Sequence, residues 1–252
     1  MNVKVVVAYH PGCDKTIGFM PKKYPNVFYP VLGGSYKYSE GSDNFFDNIP
    51  KDNLGDNISE LNFRFSEHTQ LYWLYKHLHY LGNPDMVGLC HYRRYMDLDY
   101  DNLDPSVIYL RRDPTIRIES SKDTILCWNG QEISEYILDL FLNDMPMYKD
   151  AMELTLSDYR FYDKSMFVVN RSVFLEYMEF VTKCYRLFMT PGVDKQIEQW
   201  YYDGHPKAET YLFKRGISYF LEMIHAIYFT QQQLRGHKII LAQPTKDSFD
   251  EH

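Results

Sequence analysis

The 252-residue sequence lacks the patterns that mark a metal centre, a disulfide framework or a membrane span on sight. Its four cysteines, Cys13, Cys90, Cys127 and Cys184, are widely scattered and none belongs to a Cys-x-x-Cys pair. That spacing suggests neither a zinc site nor a disulfide scaffold and fits a reducing cytoplasm. Positive charge is short: 27 Lys and Arg stand against 34 Asp and Glu, a net charge of -7. A general nucleic-acid binder would carry a basic face or stripe, so no nucleic-acid partner is expected. No apolar run approaches the length of a membrane span, and "MNVKVVVAYH" is too short and polar-ended for a signal peptide. The expectation is a cytoplasmic protein whose membrane contact, if any, is peripheral. Glycine-rich phosphate loops, serine elbows, Cys-His arrangements and internal repeats are absent. His77 and His79 are two apart in a helical segment, so they diverge and make a poor metal pair.

What the chain has in excess is aromatic rings. Twenty-three tyrosines and 16 phenylalanines suit both a core and a concave surface on which a sugar or base can stack. Biased base composition in the gene is the other source of such a count. Hydrophobic residues at 45% and charged residues at 24% are those of a globular protein. The length suits one large domain with a substantial core.

Hydrophobic periodicity divides the chain into alternating strands and helices. "VKVVVAY" is a buried strand stopped by "HPG", and "NVFYPVLGG" repeats the pattern and ends on two glycines. Residues 35–57 are polar and read as a loop that orders over a ligand. "SEHTQLYWLYKHLHYL" is a helix with Ser66 as its N-cap and an apolar stripe of Leu71, Leu74, Tyr75 and Leu78. "DMVGLC" has the near-uniform apolarity of a central parallel strand. After a charged stretch, "DTILCW" is read as the next strand and "EISEYILDLFLN" and "MYKDAMELTL" as helices. "KSMFVVN" is a strand, "SVFLEYMEFVTKCYRLFM" a long amphipathic helix, and "TPGVDKQIEQWYYDGHPKAE" mostly loop with some helix. "GISYFLEMIHAIYFTQQQL" is the final helix and "KIILAQ" the last strand. Such alternation predicts an α/β fold with a mainly parallel central sheet flanked by helices. In these sheets ligands bind beyond the carboxyl ends of the strands. His10, Gly33-Gly34 and His91 to Arg94 all fall at such ends.

Several of these stretches carry a resemblance. "GDNIS" at 55–59, Glu67-His68-Thr69 with Tyr72-Trp73, and "GLCHYRRY" at 88–95 resemble the signature of the capsular-polysaccharide-type glycosyltransferases grouped as domain of unknown function 4422. Pro30-Val31-Leu32-Gly33 matches that family's second strand. Ser165-Met166-Phe167 and Arg215 with Glu222-Met223 match its later motifs more loosely. The arginine of the family's terminal Glu-Arg pair is Met223 here. The resemblance implies a glycosyltransferase-A-like, Rossmann-like single domain over residues 1–252. A nucleotide-sugar-binding half, about 1–110, would precede an acceptor-binding half, about 111–252. It also implies an enzyme that moves a sugar from a nucleotide-diphosphate donor, by the fold's habits UDP-linked, onto a growing or lipid-linked glycan.

Departing diphosphate carries concentrated negative charge that the enzyme must stabilise. Many transferases of this fold do so with an Asp-x-Asp that holds a divalent cation. Here the corresponding strand end is His91-Tyr92-Arg93-Arg94, and guanidinium groups grip phosphates bidentately without a metal. If extended geometry persists through Arg93, His91 and Arg93 share one face. Both are therefore assigned to the diphosphate, with Arg94 as a second clamp or a structural ion pair, and no cofactor is required. The alternative is a metal-dependent transferase in which Asp97 and Asp99 hold Mn2+ or Mg2+, in a run acidic enough to be an ordinary solvated loop.

His10, Asp56 and Asn57 offer groups suited to a ribose or base edge, and Arg215 joins this set through the resemblance. Glu67, at a helix start, either complements the helix dipole or faces the donor pocket. Tyr72 and Trp73 are read as core. For a general base the candidates are Glu222, which alternatively pairs with Arg215, and Asp163. A third reading, from another class, is a catalytically silent glycan- or nucleotide-binding protein.

Overall fold

A computed structural model of the chain describes residues 1–11, 13, 23–39, 41, 44–111, 131–157, 165–203 and 216–242. The β-branched run at the start of the chain forms β1 (Val3–Tyr9), and β2 (Phe28–Leu32) pairs with it in parallel. On its other side β1 pairs in parallel with β3 (Met86–His91), with Ala8 opposite His91. Then β5 (Phe167–Asn170) runs antiparallel between β3 and β4 (Val107–Arg111), and β6 (Lys238–Ala242) pairs in parallel with β4. The spatial order is β2-β1-β3-β5-β4-β6. Five strands point one way, so their carboxyl ends share one edge, and β5 alone runs against them.

Side chains alternate across this sheet as strand geometry requires. Val6, Ala8, Val87, Leu89, Ile108, Leu110 and Phe167 enter the larger hydrophobic cluster beneath the helices. Val5, Val7, Met86, Cys90, Val107 and Tyr109 enter a second cluster with Tyr92, Met96 and Tyr100 on the opposite face. Burial on both faces explains why β1 and β3 are apolar throughout. Gly88 is needed where β3 meets β5: a Cβ there would lie 2.6 Å from the Phe167 carbonyl oxygen.

The described helices are α1 (Asn44–Asp47), α2 (Asn62–Phe65), α3 (His68–Lys76), α4 (Gln131–Asp144), α5 (Lys149–Ser157), α6 (Arg171–Phe188), α7 (Val193–Asp203) and α8 (Gly216–Leu234). Asn170 caps α6, its side chain accepting from Val173 N at 2.9 Å. The buried stripe of α6, including Phe174, Tyr177, Val181, Cys184 and Phe188, is what its helical periodicity predicts. In α8, Phe220, Leu221, Met223, Ile224, Ile227 and Tyr228 are all buried.

The strand β4, which ends on the buried Arg111, is additional to those read from the sequence, and "DTILCW" lies outside the described residues. Two expectations need correction. Ser66 is not the cap of α3. Glu67 holds that position, while Ser66, at φ 51°, ψ -131°, closes α2. Its carbonyl serves the turn, accepting from Thr69 N at 3.2 Å and from Asn62 Nδ2 at 2.9 Å. Nor does extended geometry continue through Arg93. Reciprocal backbone bonds between His91 and Arg94, at 3.2 and 3.0 Å, close a tight turn with Tyr92 and Arg93 at its corner.

Candidate active site

At the carboxyl edge of the sheet, β1, β2 and β3 end around a cleft of about 350 Å³, within the size range of small-molecule sites. Each wall is placed by an identifiable bond. The floor is the end of β1, where Gly33 N donates to the Tyr9 carbonyl at 2.8 Å. Gln70, reaching up from α3, donates through Nε2 to the carbonyls of Tyr9 and Val31 at 2.6 and 3.0 Å. One amide thus ties the ends of β1 and β2 to the helix beneath them.

The second wall is the turn after β2. Gly34 takes φ 65°, and Ser35–Lys37 form a 3-10 turn behind it. Asp52, wholly buried, holds this turn from the inside. Its carboxylate accepts from Gly34 N (3.0 Å), Ser35 N (3.2 Å) and Ser35 Oγ (2.7 Å). It also accepts from the hydroxyls of Ser59 and Thr69. Tyr36 and Lys37 are thereby presented to the cleft, with the Lys37 ammonium 5.1 Å from the Tyr36 ring.

The third wall is the His91-Tyr92-Arg93 turn. Tyr92 is packed by Tyr9 at 5.7 Å between ring centroids and edge-on by His10 at 5.4 Å. Burial pushes the Tyr9 phenol up to about 12. The Arg93 guanidinium lies 5.1 Å from the Tyr92 ring, which orients it as a cation–π contact does. The fourth wall is Asn62, Phe63, Ser66 and Glu67 at the junction of α2 and α3. Glu67 Oε1 stands 3.7 Å from His91 Nε2, with 10% of the Glu67 side chain and 21% of the His91 side chain exposed. Glu67 is the one carboxylate among the described residues lining the cleft.

Beneath this wall lies a buried polar seam. His68 is fully enclosed, with Nδ1 2.9 Å from Tyr185 Oη and Nε2 3.1 Å from Ser165 Oγ. Desolvation pushes its imidazole down to about 4, against smaller opposing and reinforcing effects of Glu67 and His91. His225, also enclosed, contacts Tyr177 Oη at 3.0 Å, and burial holds it well below the ordinary histidine range.

Of the residues singled out from sequence, His10, Glu67, His91 and Arg93 line this cleft together. Arg94, one residue past the turn, is not among its lining residues. Asp56 lies elsewhere, 3.0 Å from Lys76 Nζ and accepting from Tyr72 Oη at 3.1 Å. Its carboxylate is held below the usual range mainly by the Lys76 hydrogen bond. Asn57 is spent on backbone, donating to the carbonyls of Asn53 and Gly55 and accepting from Ser59 N. Glu222 is half-buried in α8 and is not part of the cleft wall, and Met223 beside it is wholly buried, where an arginine would sit in core. Asp163 and Arg215 lie outside the described residues.

Asp97 and Asp99 are exposed and do not line the cleft. Asp99 accepts from Asn102 Nδ2 at 2.8 Å and from Tyr24 Oη at 3.4 Å. No group of three potential metal-ligating side chains gathers among the described residues. Lys37, Tyr36, Phe63, Gln70 and Asp52 went unnoticed in the sequence. The signals pointing toward them were the Gly33-Gly34 pair and the polar stretch 35–57, which contains Tyr36, Lys37 and Asp52.

Residues 4–132 match the family model described as "Domain of unknown function (DUF4422)". A search of curated proteins found no match. Among solved structures, the chain is similar to the apo structure of the WbbM bifunctional glycosyltransferase, with a TM-score of 0.67 at 20% identity. The superposition covers 98% of this chain and 46% of that one, so the chain spans just under half of its neighbour's length. The two share a fold.

Proposed function

Because the chain belongs to the DUF4422 family, and its fold is that of a glycosyltransferase structure, we propose that it transfers a sugar from a UDP-linked donor to a growing glycan. The leaving diphosphate is held by side chains rather than by a cation. One observation carries this reading: Arg93, His91 and Lys37 reach the same cleft from two different walls, at the sheet edge where α/β folds bind their ligands. A guanidinium presents two parallel donors to phosphate oxygens, and an ammonium adds a mobile point charge opposite it. Such groups stabilise the charge that develops as the glycosidic bond breaks. The carboxylates that would instead hold a metal lie outside the cleft.

The aromatic lining of Tyr36, Phe63, Tyr92 and His10 suits a base or a sugar ring. The acceptor is a glycan or lipid-linked glycan. No helix among the described residues is long and apolar enough to cross a membrane, and work on a lipid-linked acceptor would bring the protein to the membrane peripherally, from the cytoplasm.

A thermal-shift screen of UDP and UDP-sugars, in EDTA and in manganese, tests this reading. A ligand that binds only the folded state raises the melting temperature. The expected result is a shift of equal size in both conditions that Arg93→Ala removes while the unliganded protein still melts cooperatively. A shift seen only with manganese, and kept by Arg93→Ala, would overturn the metal-independent reading.

A further inference from the structure

We infer that Glu67 is the proton acceptor of the transfer reaction, an assignment that rests on the transferase reading above. Its side chain is not spent on capping the helix. Glu67 occupies the N-cap position of α3, yet its side chain makes no cap hydrogen bond. The carboxylate turns instead into the cleft, where Oε1 lies 3.7 Å from His91 Nε2.

The backbone is bent to put it there. Ser66 is a non-glycine residue at φ 51°, a conformation that persists only where neighbours enforce it and that clusters at functional sites. Here Asn62 and Thr69 enforce it by bonding the Ser66 carbonyl. The kink ends α2 and starts α3 along a new direction, with residue 67 at the corner. No other carboxylate reaches the cleft among the described residues lining it. Glu222, the family-motif candidate, is on α8 and does not.

The charges of the cleft then divide by task. Arg93 and Lys37 face the diphosphate. His91, whose Nε2 lies 3.7 Å from Glu67 Oε1, keeps the carboxylate in place. As the acceptor oxygen bonds to the anomeric carbon, its proton passes to the Glu67 carboxylate. The bond from the anomeric carbon to the phosphate oxygen breaks, and its electron pair leaves with the diphosphate. Glu67, slightly exposed at the cleft, then returns the proton to water.

The test uses the UDP-sugar that gives the largest thermal shift, with water as acceptor, and follows UDP release in single turnover. Glu67→Gln keeps the shape and removes the basic oxygen. UDP affinity by calorimetry should hold, while the release rate falls by roughly 10²–10⁴-fold, the span a general base contributes. In Glu67→Ala, added formate should restore part of the rate. A Glu67→Gln variant that turns over like the parent would overturn the assignment. So would one whose UDP affinity falls in step with its rate, which makes Glu67 a donor-binding residue. A parent protein that binds UDP-sugars but releases no UDP, either to water or with a glycan acceptor added, removes the transferase reading, and this assignment with it.

Discussion

A methyl group on Gly33 would occupy the space of the Gln70 amide: its Cβ would fall 2.4 Å from Gln70 Cδ. Gln70 has no slack to give, since the same amide bonds the carbonyls of Tyr9 and Val31. Gly33→Ala is therefore expected to cost about 1–3 kcal/mol, as overpacking does, and to weaken UDP binding because the ends of β1 and β2 must part. Urea unfolding reads the first effect and calorimetry the second. Unchanged values for both would show that Gln70 is not the tie between these strands.

Asp52 gives a sharper contrast within one short stretch. Five donors converge on its buried carboxylate, and Asp52→Ala removes that acceptor from all of them, with Thr69 Oγ1 alone keeping the Ser66 carbonyl among the bonds described above. Each buried unsatisfied group costs about 1–3 kcal/mol, so this variant should be severely destabilised and should lose the Tyr36-Lys37 wall. Asp56→Ala, four residues on, breaks an exposed pair with Lys76 whose worth is about 0–1 kcal/mol. Its melting temperature and UDP affinity should stay near those of the parent. Equal losses for the two variants would contradict the assignment of Asp52 as the internal anchor.

These residues also show what a single sequence exposes and what it hides. The strands β1 and β3 were legible because burial on both faces leaves an uninterrupted apolar run. The helices α6 and α8 were legible because their apolar stripes extend over many turns. Strand β4 was not, because only four apolar residues, Val107 to Leu110, stand between Pro105-Ser106 and a pair of arginines, and so short a run merges with the charged stretch around it. At the site, His91 and Arg93 were visible from the place where an apolar run stops. The turn that carries them was not, since the bonds between His91 and Arg94 depend on the chain leaving the sheet. Ser66 looked like a cap because a positive φ at a serine has no signature in composition. Lys37 reached the cleft through Asp52, 15 residues downstream, by a network that no local pattern encodes.

The enclosed His68 makes stability depend on pH in a definite direction. Its folded value is depressed to about 4 from 6.5, so between those values the unfolded chain binds more protons than the folded one. The contribution of neutral His68 is fully present above pH 6.5 and is lost as pH falls toward 4, roughly 3 kcal/mol across the window at 1.36 kcal/mol per unit. His225 is depressed in the same sense and steepens the loss. Urea midpoints at pH 7.5 and 5 should differ strongly in the parent. His68→Gln should be less stable at pH 7.5 but show a smaller difference between the two conditions. A variant with the same pH slope as the parent would assign the acid sensitivity elsewhere.

The placement of Asp97 and Asp99 makes the case against a bound cation testable without any acceptor. Both are exposed, and the Asp99 carboxylate is held below the usual range chiefly by its bond from Asn102. If they are loop residues, the double variant Asp97→Asn with Asp99→Asn should change UDP affinity by no more than about twofold, the reach of an ordinary surface substitution. Affinity in EDTA should equal that in manganese for parent and variant alike. If instead they hold an ion that bridges to the diphosphate, the parent should bind more tightly with manganese and the variant should lose that gain. Arg93→Ala separates the two cases from the other side. It should abolish binding where the guanidinium is the phosphate partner, and leave the manganese-dependent part intact where an ion is. Salt adds an independent check, because removing one phosphate-facing cation should weaken the dependence of UDP affinity on ionic strength, as removing an exposed aspartate cannot.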